Sequence, residues 1–151
     1  MKKILLLIIS ILIISGCTKI EENEFQKIYD TKIDYVKELN YQELLEFTET
    51  KTGIIFIGDE NDESQKLADR FCDVLCECDV DIAYFIKEEN LNKEEFLSKI
   101  EAEELKFPAI LAFKLGDLIK YYDENIETED INNYIDSMFH EVYPVVCDEV
   151  C

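Results

Sequence analysis

Short apolar runs alternate along the chain with stretches in which apolar residues recur every three or four positions. The runs at residues 54–58, 80–86 and 107–113 predict strands, and the first of them is apolar on both faces, which is typical of a central strand. The apolar spacing within 62–77 and 92–100 predicts helices with one buried side. This alternation predicts an α/β fold with helices on both faces of a mixed sheet.

Polar residues mark where two of the predicted helices begin. Asn40 with Glu43, and Asn92 with Glu95, have the spacing of a capping box. In that arrangement the first side chain accepts a backbone N–H of the helix, and the second reaches back to the capping residue. The sequence therefore predicts helix starts at these two asparagines.

Two more strands and a last helix complete the predicted order β-α-β-α-β-α-β-β-α. The strands are expected at 32–37 and 118–122, and the helix begins near Thr128. This order covers residues 31–139 and leaves a tail over 140–151. The only histidine, His140, is expected at the C-terminal end of the last helix, where a cation is favoured by the helix dipole.

The first sixteen residues have the pattern of an export signal. Two lysines precede an unbroken apolar run at residues 4–14, which is too short to span a hydrocarbon core of about 30 Å. Residues 14–17 then resemble a bacterial lipobox, whose cysteine is diacylated and becomes the new N-terminus. The sequence predicts a signal peptide over 1–16, lipidation at Cys17, and a polar tether over 17–30.

Charge limits which partners the mature chain can have. Removing residues 1–16 leaves 13 basic residues against 35 acidic ones, a formal charge of about −22. Such a surface is repelled by nucleic acid and by anionic lipid. We therefore expect attachment through the acyl chains alone, on the extracytoplasmic face of the bacterial cell membrane, and no nucleic-acid partner.

The strand at 54–58, the junction that follows it, and the later Phe107-Pro108 strand together resemble the thioredoxin family. In that family the junction carries C-x-x-C, and a cis-proline faces it. Here Asn61 and Ser64 occupy the two cysteine positions, and Pro108 occupies the proline position. The chain is also similar in style to small exported Gram-positive thioredoxin-like proteins, among them those labelled bacteriocin-transport accessory proteins.

The resemblance implies a thioredoxin-like fold that cannot perform dithiol chemistry at this junction. An amide is not a nucleophile, and no histidine lies near Ser64 in the sequence to activate its hydroxyl. In such relatives the groove beside the cis-proline can hold an extended peptide, which pairs with the residue before the proline. We therefore expect a peptide- or envelope-protein-binding module without a cofactor.

Five cysteines follow the lipidated one. Cys72 and Cys76, and also Cys147 and Cys151, are four residues apart, which is too far for an unstrained disulfide within either pair. If the tail crosses the 62–77 helix in the antiparallel sense, Cys72 could join Cys151, and Cys76 could join Cys147. Cys78 lies on the apolar stripe and is expected in the core.

Other roles for these cysteines remain open from the sequence. They could bind zinc through four thiolates, remain free thiols in a reducing niche, or form a relocated redox centre. The redox alternative would make the chain a thiol–disulfide oxidoreductase that uses Cys72, Cys76 and Cys78. Oxygen atoms at Asp59, Asn61 and Glu63 alternate as in a calcium loop, but acidic residues at a helix start are sufficient to explain them, and we expect no metal.

Overall fold

A computed structural model describes residues 22–78 and 80–143, and a five-stranded mixed sheet forms its centre. The strands are β1 (Val36–Glu38), β2 (Gly53–Gly58), β3 (Ala83–Lys87), β4 (Ala109–Lys114) and β5 (Asp117–Tyr122). In the order β1-β3-β2-β4-β5, β2 is parallel to β3 and antiparallel to β4, while β5 is antiparallel to β4. The edge strand β1 is parallel to β3.

Five α-helices and one short 3₁₀ helix, Glu88–Asn90, surround the sheet in the described part of the chain. This arrangement confirms the predicted α/β class. Within residues 22–78 and 80–143, no helix has the length and apolarity needed to cross a membrane. The α-helices are α1 (Glu24–Tyr29), α2 (Tyr41–Phe47), α3 (Asp62–Glu77), α4 (Lys93–Lys99) and α5 (Ile131–Val142).

The central strand β2 divides the core into two layers. Ile54 and Phe56 point to one face, where they join a cluster built from α1, α3 and α5. Ile55 and Ile57 point to the other face and pack with α2 and α4. Helices therefore cover both faces of the sheet, as predicted, because a fully apolar strand must be shielded from water on both sides.

The predicted tether over 17–30 is wrong in its second half, because α1 belongs to the folded domain. Asn23 caps this helix in a complete capping box with Gln26. Phe25 and Tyr29, one turn apart, are buried against the sheet, and the Phe25 ring lies 5.3 Å from that of Phe85. The folded part of the chain therefore begins before residue 31.

Other predicted boundaries shift by a few residues. The first strand is Val36–Glu38 rather than 32–37, and β3 begins at Ala83 rather than residue 80. The last helix begins at Ile131, because Asp130 supplies the cap by accepting the Asn133 backbone N–H. It ends at Val142, so the predicted tail boundary at residue 140 is also wrong.

His140 lies in the last turn of α5, as expected for a cation at a helix C-terminus. Its Nε2 is 3.2 Å from a carboxylate oxygen of Asp136, one turn earlier. This contact occupies the imidazole within the helix and places it away from the residues singled out at the β2–α3 junction.

Candidate functional site

Strand pairing brings the two segments with family-like features side by side. Ile57 of β2 pairs with Ala109 of β4, so Pro108 comes next to the carboxyl end of β2, where Gly58 leads into α3. The Phe107–Pro108 peptide bond is cis. The β2–α3 junction and the proline loop therefore form one site.

Asn61 occupies the N-cap position of α3. Its side-chain oxygen accepts the Ser64 backbone N–H at 2.8 Å, and its own backbone N–H donates to Asp59 Oδ1 at 2.9 Å. These bonds satisfy backbone donors that a helix start would otherwise leave unpaired. Asn61 thus has a structural task, and its amide cannot attack a substrate.

Ser64 is fully buried beneath the loop, in a hydrogen-bonded cluster with Asp59 and Tyr29 that we call the knot. Its hydroxyl donates to Asp59 Oδ1 and accepts the Asp59 backbone N–H, both at 3.0 Å. The hydroxyl of Tyr29 donates to the Asp59 carbonyl at 2.8 Å. A Cβ at Gly58 would lie 2.8 Å from the Tyr29 oxygen and 3.0 Å from Ser64 Oγ, so only glycine fits there.

The knot stabilises the loop but offers no reactive group to solvent. Burial, and next the nearby Asp59 carboxylate, raises the pKa of Tyr29 far above its usual value. The Ser64 hydroxyl faces a carboxylate that could accept its proton, yet its full burial keeps any substrate away from it. The junction therefore holds a fixed shape rather than a nucleophile.

One cavity is lined by Pro108 and a second by the β2–α3 loop, next to Phe107, and we call them together the proline groove. The first, about 660 Å³, has apolar floor residues Leu67, Pro108, Tyr122 and Ile131 and lies along α3. We call it the α3 cavity. Cavities of this size suit part of a peptide or a small ligand.

The second, about 740 Å³, lies between the β2–α3 loop and the end of β3, and we call it the β3 cavity. Asp59, Glu60, Asn61 and Leu91 line it. Lys93, at its edge, places its Nζ 5.3 Å from the centre of the Phe107 ring. The residue before the proline therefore adjoins this second cavity, while the proline itself adjoins the first.

A buried carboxylate fixes the segment that leads into the cis-proline. Asp123 is fully buried, and its two oxygens accept the backbone N–H groups of Lys106 and Asn125, each at 2.9 Å. Sequence reasoning missed this residue and the role of Tyr29. The spacing of Asp123 and Asn125 is that of an Asx turn, which is the one local signal that could have indicated it.

The described cysteines lie away from the proline groove. Cys72 is half-buried, with its Sγ 3.6 Å from the Thr31 hydroxyl, and burial raises the pKa of this thiol to about 11. Cys76 is exposed. Cys78 is buried, as predicted, and its Sγ contacts Asp136 Oδ1 at 3.1 Å. The Cys72 thiol, with a pKa of about 11, is therefore a weak nucleophile near neutral pH.

The Cys72–Cys151 and Cys76–Cys147 disulfides remain a prediction, because Cys147 and Cys151 lie outside the described residues, as does Cys17. Cys72 and Cys76 lie on the flank of α3 that faces Thr31 and Tyr35. Burial, and next the two nearby thiols, raises the pKa of Tyr35 to about 12.

Among residues 22–78 and 80–143, no three His, Cys, Asp or Glu side chains are placed to hold a metal ion.

No protein-family model matches this chain, and no curated protein matches it. The function therefore has to be inferred from the residues and their geometry.

Removing the buried Ser64 hydroxyl is expected to destabilise the domain. Ser64→Ala leaves the Asp59 backbone N–H without a partner under the loop, at a cost of about 1–3 kcal/mol in the free energy of unfolding. Ser98→Ala, on the exposed side of α4, is the matched control and should change it by less than about 0.5 kcal/mol. Urea denaturation of both variants measures the difference, and equal small effects would contradict the buried knot.

Proposed function

We propose that this chain is a lipid-anchored, extracytoplasmic thioredoxin-like module that binds an extended peptide or protein segment without dithiol catalysis. The observation that carries the proposal is the β2–β4 register, which sets Pro108 beside Gly58 and Asn61 at the head of α3. The strand order, with β4 and β5 antiparallel after a parallel β1-β3-β2 unit, supports the thioredoxin-like part of it.

The proline groove offers an extended segment both an apolar surface and backbone partners. Leu67, Tyr122 and Ile131 supply apolar contact in the α3 cavity. An X-Pro step keeps residue 107 in an extended conformation, which suits backbone pairing with a bound strand. Asp123 holds the preceding residue by its N–H, so this edge is fixed before a ligand arrives.

Filling the α3 cavity is expected to weaken peptide binding. Glu63 lies on its wall and is exposed, so Glu63→Trp places a bulky ring there without entering the core. We expect about tenfold weaker binding of a fluorescein-labelled peptide that alternates the uncharged residues Gln and Val, measured by fluorescence anisotropy.

The control is Glu77→Trp, which makes the same change at the exposed far end of α3. It removes the same charge and adds the same ring, so it should leave the affinity within about twofold. Equal affinities for the two variants, or no binding by the natural chain, would count against the proposed function.

The rival function is a thiol–disulfide oxidoreductase that works through Cys72, Cys76 or Cys78. Cys76 is the exposed member and the only one of the three that a substrate could reach directly. Insulin reduction that is lost in Cys76→Ser would favour this rival. The pKa of about 11 at Cys72, and the absence of all three thiols from the residues that line the groove, favour the binding module.

The anchoring part of the proposal has its own test. Cys17→Ala removes the only atom to which the acyl chains could be attached at the lipobox. Because the rest of the chain is strongly acidic, nothing else should retain it at an anionic membrane, and we expect release into the soluble fraction. Membrane fractionation of the natural chain and the variant measures this, and unchanged membrane retention contradicts it.

A further inference from the structure

The walls of the proline groove carry more negative than positive charge. The α3 cavity has four carboxylates and two cations, and so does the β3 cavity. The carboxylates belong to Asp59, Glu60, Glu63, Asp69, Asp73, Glu88, Glu89 and Glu124, and the cations to Lys66, Arg70, Lys87 and Lys93.

Ion pairs reduce the effect of the cations in the β3 cavity. Lys87 lies 3.3 Å from a carboxylate oxygen of Glu24, and Lys93 pairs with Glu88. Glu60 and Glu89 are exposed on the same wall, and no ion pair is found for them within residues 22–78 and 80–143. With these pairs included, the charged side chains that line the β3 cavity carry a net negative charge.

The α3 cavity has the same sign with a weaker imbalance, because Lys106 lies 2.9 Å from a carboxylate oxygen of Glu124 and offsets its charge. Arg70 is held by the side-chain oxygen of Asn132 at 3.1 Å, which turns its guanidinium toward α5. Glu63 stands on the wall nearest the β2–α3 loop. The β3 cavity therefore supplies most of the preference for positive charge in a ligand, and the α3 cavity adds a smaller preference of the same sign.

From this we infer that the segment bound in the proline groove is cationic, an extended peptide in which Lys or Arg side chains alternate with apolar ones. This inference rests on the proposed peptide-binding function. Alternate side chains of an extended strand point to opposite sides, so apolar residues can contact the floor while basic residues meet the carboxylate rim. A second copy of this acidic chain, or its own C-terminal residues Asp148 and Glu149, would be repelled instead.

Three fluorescein-labelled peptides of equal length test the charge preference: alternating Lys-Val, Gln-Val and Glu-Val. We expect the Lys-Val peptide to bind at least about tenfold more tightly than the Gln-Val peptide, and the Glu-Val peptide to bind most weakly. The preference should shrink when the salt concentration is raised, because exposed charges are screened beyond about 8 Å at physiological ionic strength.

A matched pair of triple variants locates the effect. Glu60→Gln, Glu63→Gln and Glu89→Gln together remove three charges from the groove and should reduce the Lys-Val preference to about threefold or less. Glu49→Gln, Asp81→Asn and Asp117→Asn remove three exposed charges at the end of the strands away from Gly58. This control variant should leave the Lys-Val preference unchanged.

Equal affinity for all three peptides, tightest binding of Glu-Val, or an equal loss in both triple variants would overturn the charge preference. If the Gln-Val peptide still binds and Glu63→Trp still weakens it, the proposed binding function survives that result. If no peptide binds, both the function and the preference are wrong.

Discussion

Replacing Asn61 and Ser64 together by cysteine is expected to create a thiol–disulfide activity at the β2–α3 junction. The two positions are the N-cap and the third residue of α3, and the N-cap has an extended rather than a helical backbone. Because the Asn61 side chain already reaches the Ser64 backbone N–H, at 2.8 Å, we expect sulfur atoms at these two positions to come within bonding distance after a small movement. The helix N-terminus stabilises a thiolate at the first position, although the neighbouring carboxylates oppose it. We expect insulin reduction at least about tenfold above that of the natural chain.

The control for this variant is the cysteine pair Asn40→Cys and Glu43→Cys. These residues have the same cap geometry at the start of α2, but they lie beyond β1, two strands away from β2. A pair there should form a disulfide without turning over insulin, because no proline loop faces it to position a substrate. Activity in the control, or an inactive Asn61/Ser64 pair with an intact disulfide, would contradict the site as described.

Phe25→Ala is expected to cost about 3–5 kcal/mol in the free energy of unfolding. The ring is fully buried between α1 and the sheet, with Phe56 at 5.9 Å, Phe71 at 6.3 Å and Phe85 at 5.3 Å between ring centres. Its removal leaves a cavity among large, rigid side chains that cannot collapse to fill it. The chain has no tryptophan, so far-UV circular dichroism in urea is the suitable measurement.

Ile82→Ala is the matched truncation on the surface. Ile82 is 40% exposed just before β3, so losing its side chain should change the free energy of unfolding by less than about 0.5 kcal/mol. If residues 17–30 were a tether throughout, Phe25→Ala would be equally harmless. A small effect at Phe25 would therefore restore the predicted tether and remove α1 from the domain.

Elements with strong local signals were predicted well from the sequence. The capping box of Asn40 and Glu43 starts α2 where expected, and the all-apolar run of β2 is buried on both faces. Helix α1 was missed because six residues give too little periodicity to stand out from an acidic, polar stretch. Asn23 with Gln26, and the one-turn spacing of Phe25 and Tyr29, are the signals that could have indicated it.

The site was predictable in outline but not in its contacts. The resemblance to the thioredoxin family suggested that Pro108 and the junction at Asn61 belong together, and the strand register places them side by side. The knot of Tyr29 and Ser64 on Asp59 could not be predicted, because it joins residues 30 positions apart through a helix that was not expected. Long-range polar contacts of this kind leave no periodic pattern in a sequence.

The most direct test of the central claim is nuclear magnetic resonance mapping of a bound peptide on the ¹⁵N-labelled chain. Titration with the Gln-Val peptide should shift amide signals in the β2–α3 junction, in the first turns of α3 and around Phe107, with no change in the redox state of any cysteine. Shifts that cluster instead around Cys72 and Cys76, or a mixed disulfide with a cysteine-bearing version of the peptide, would contradict a module that binds at the proline groove without exchanging electrons.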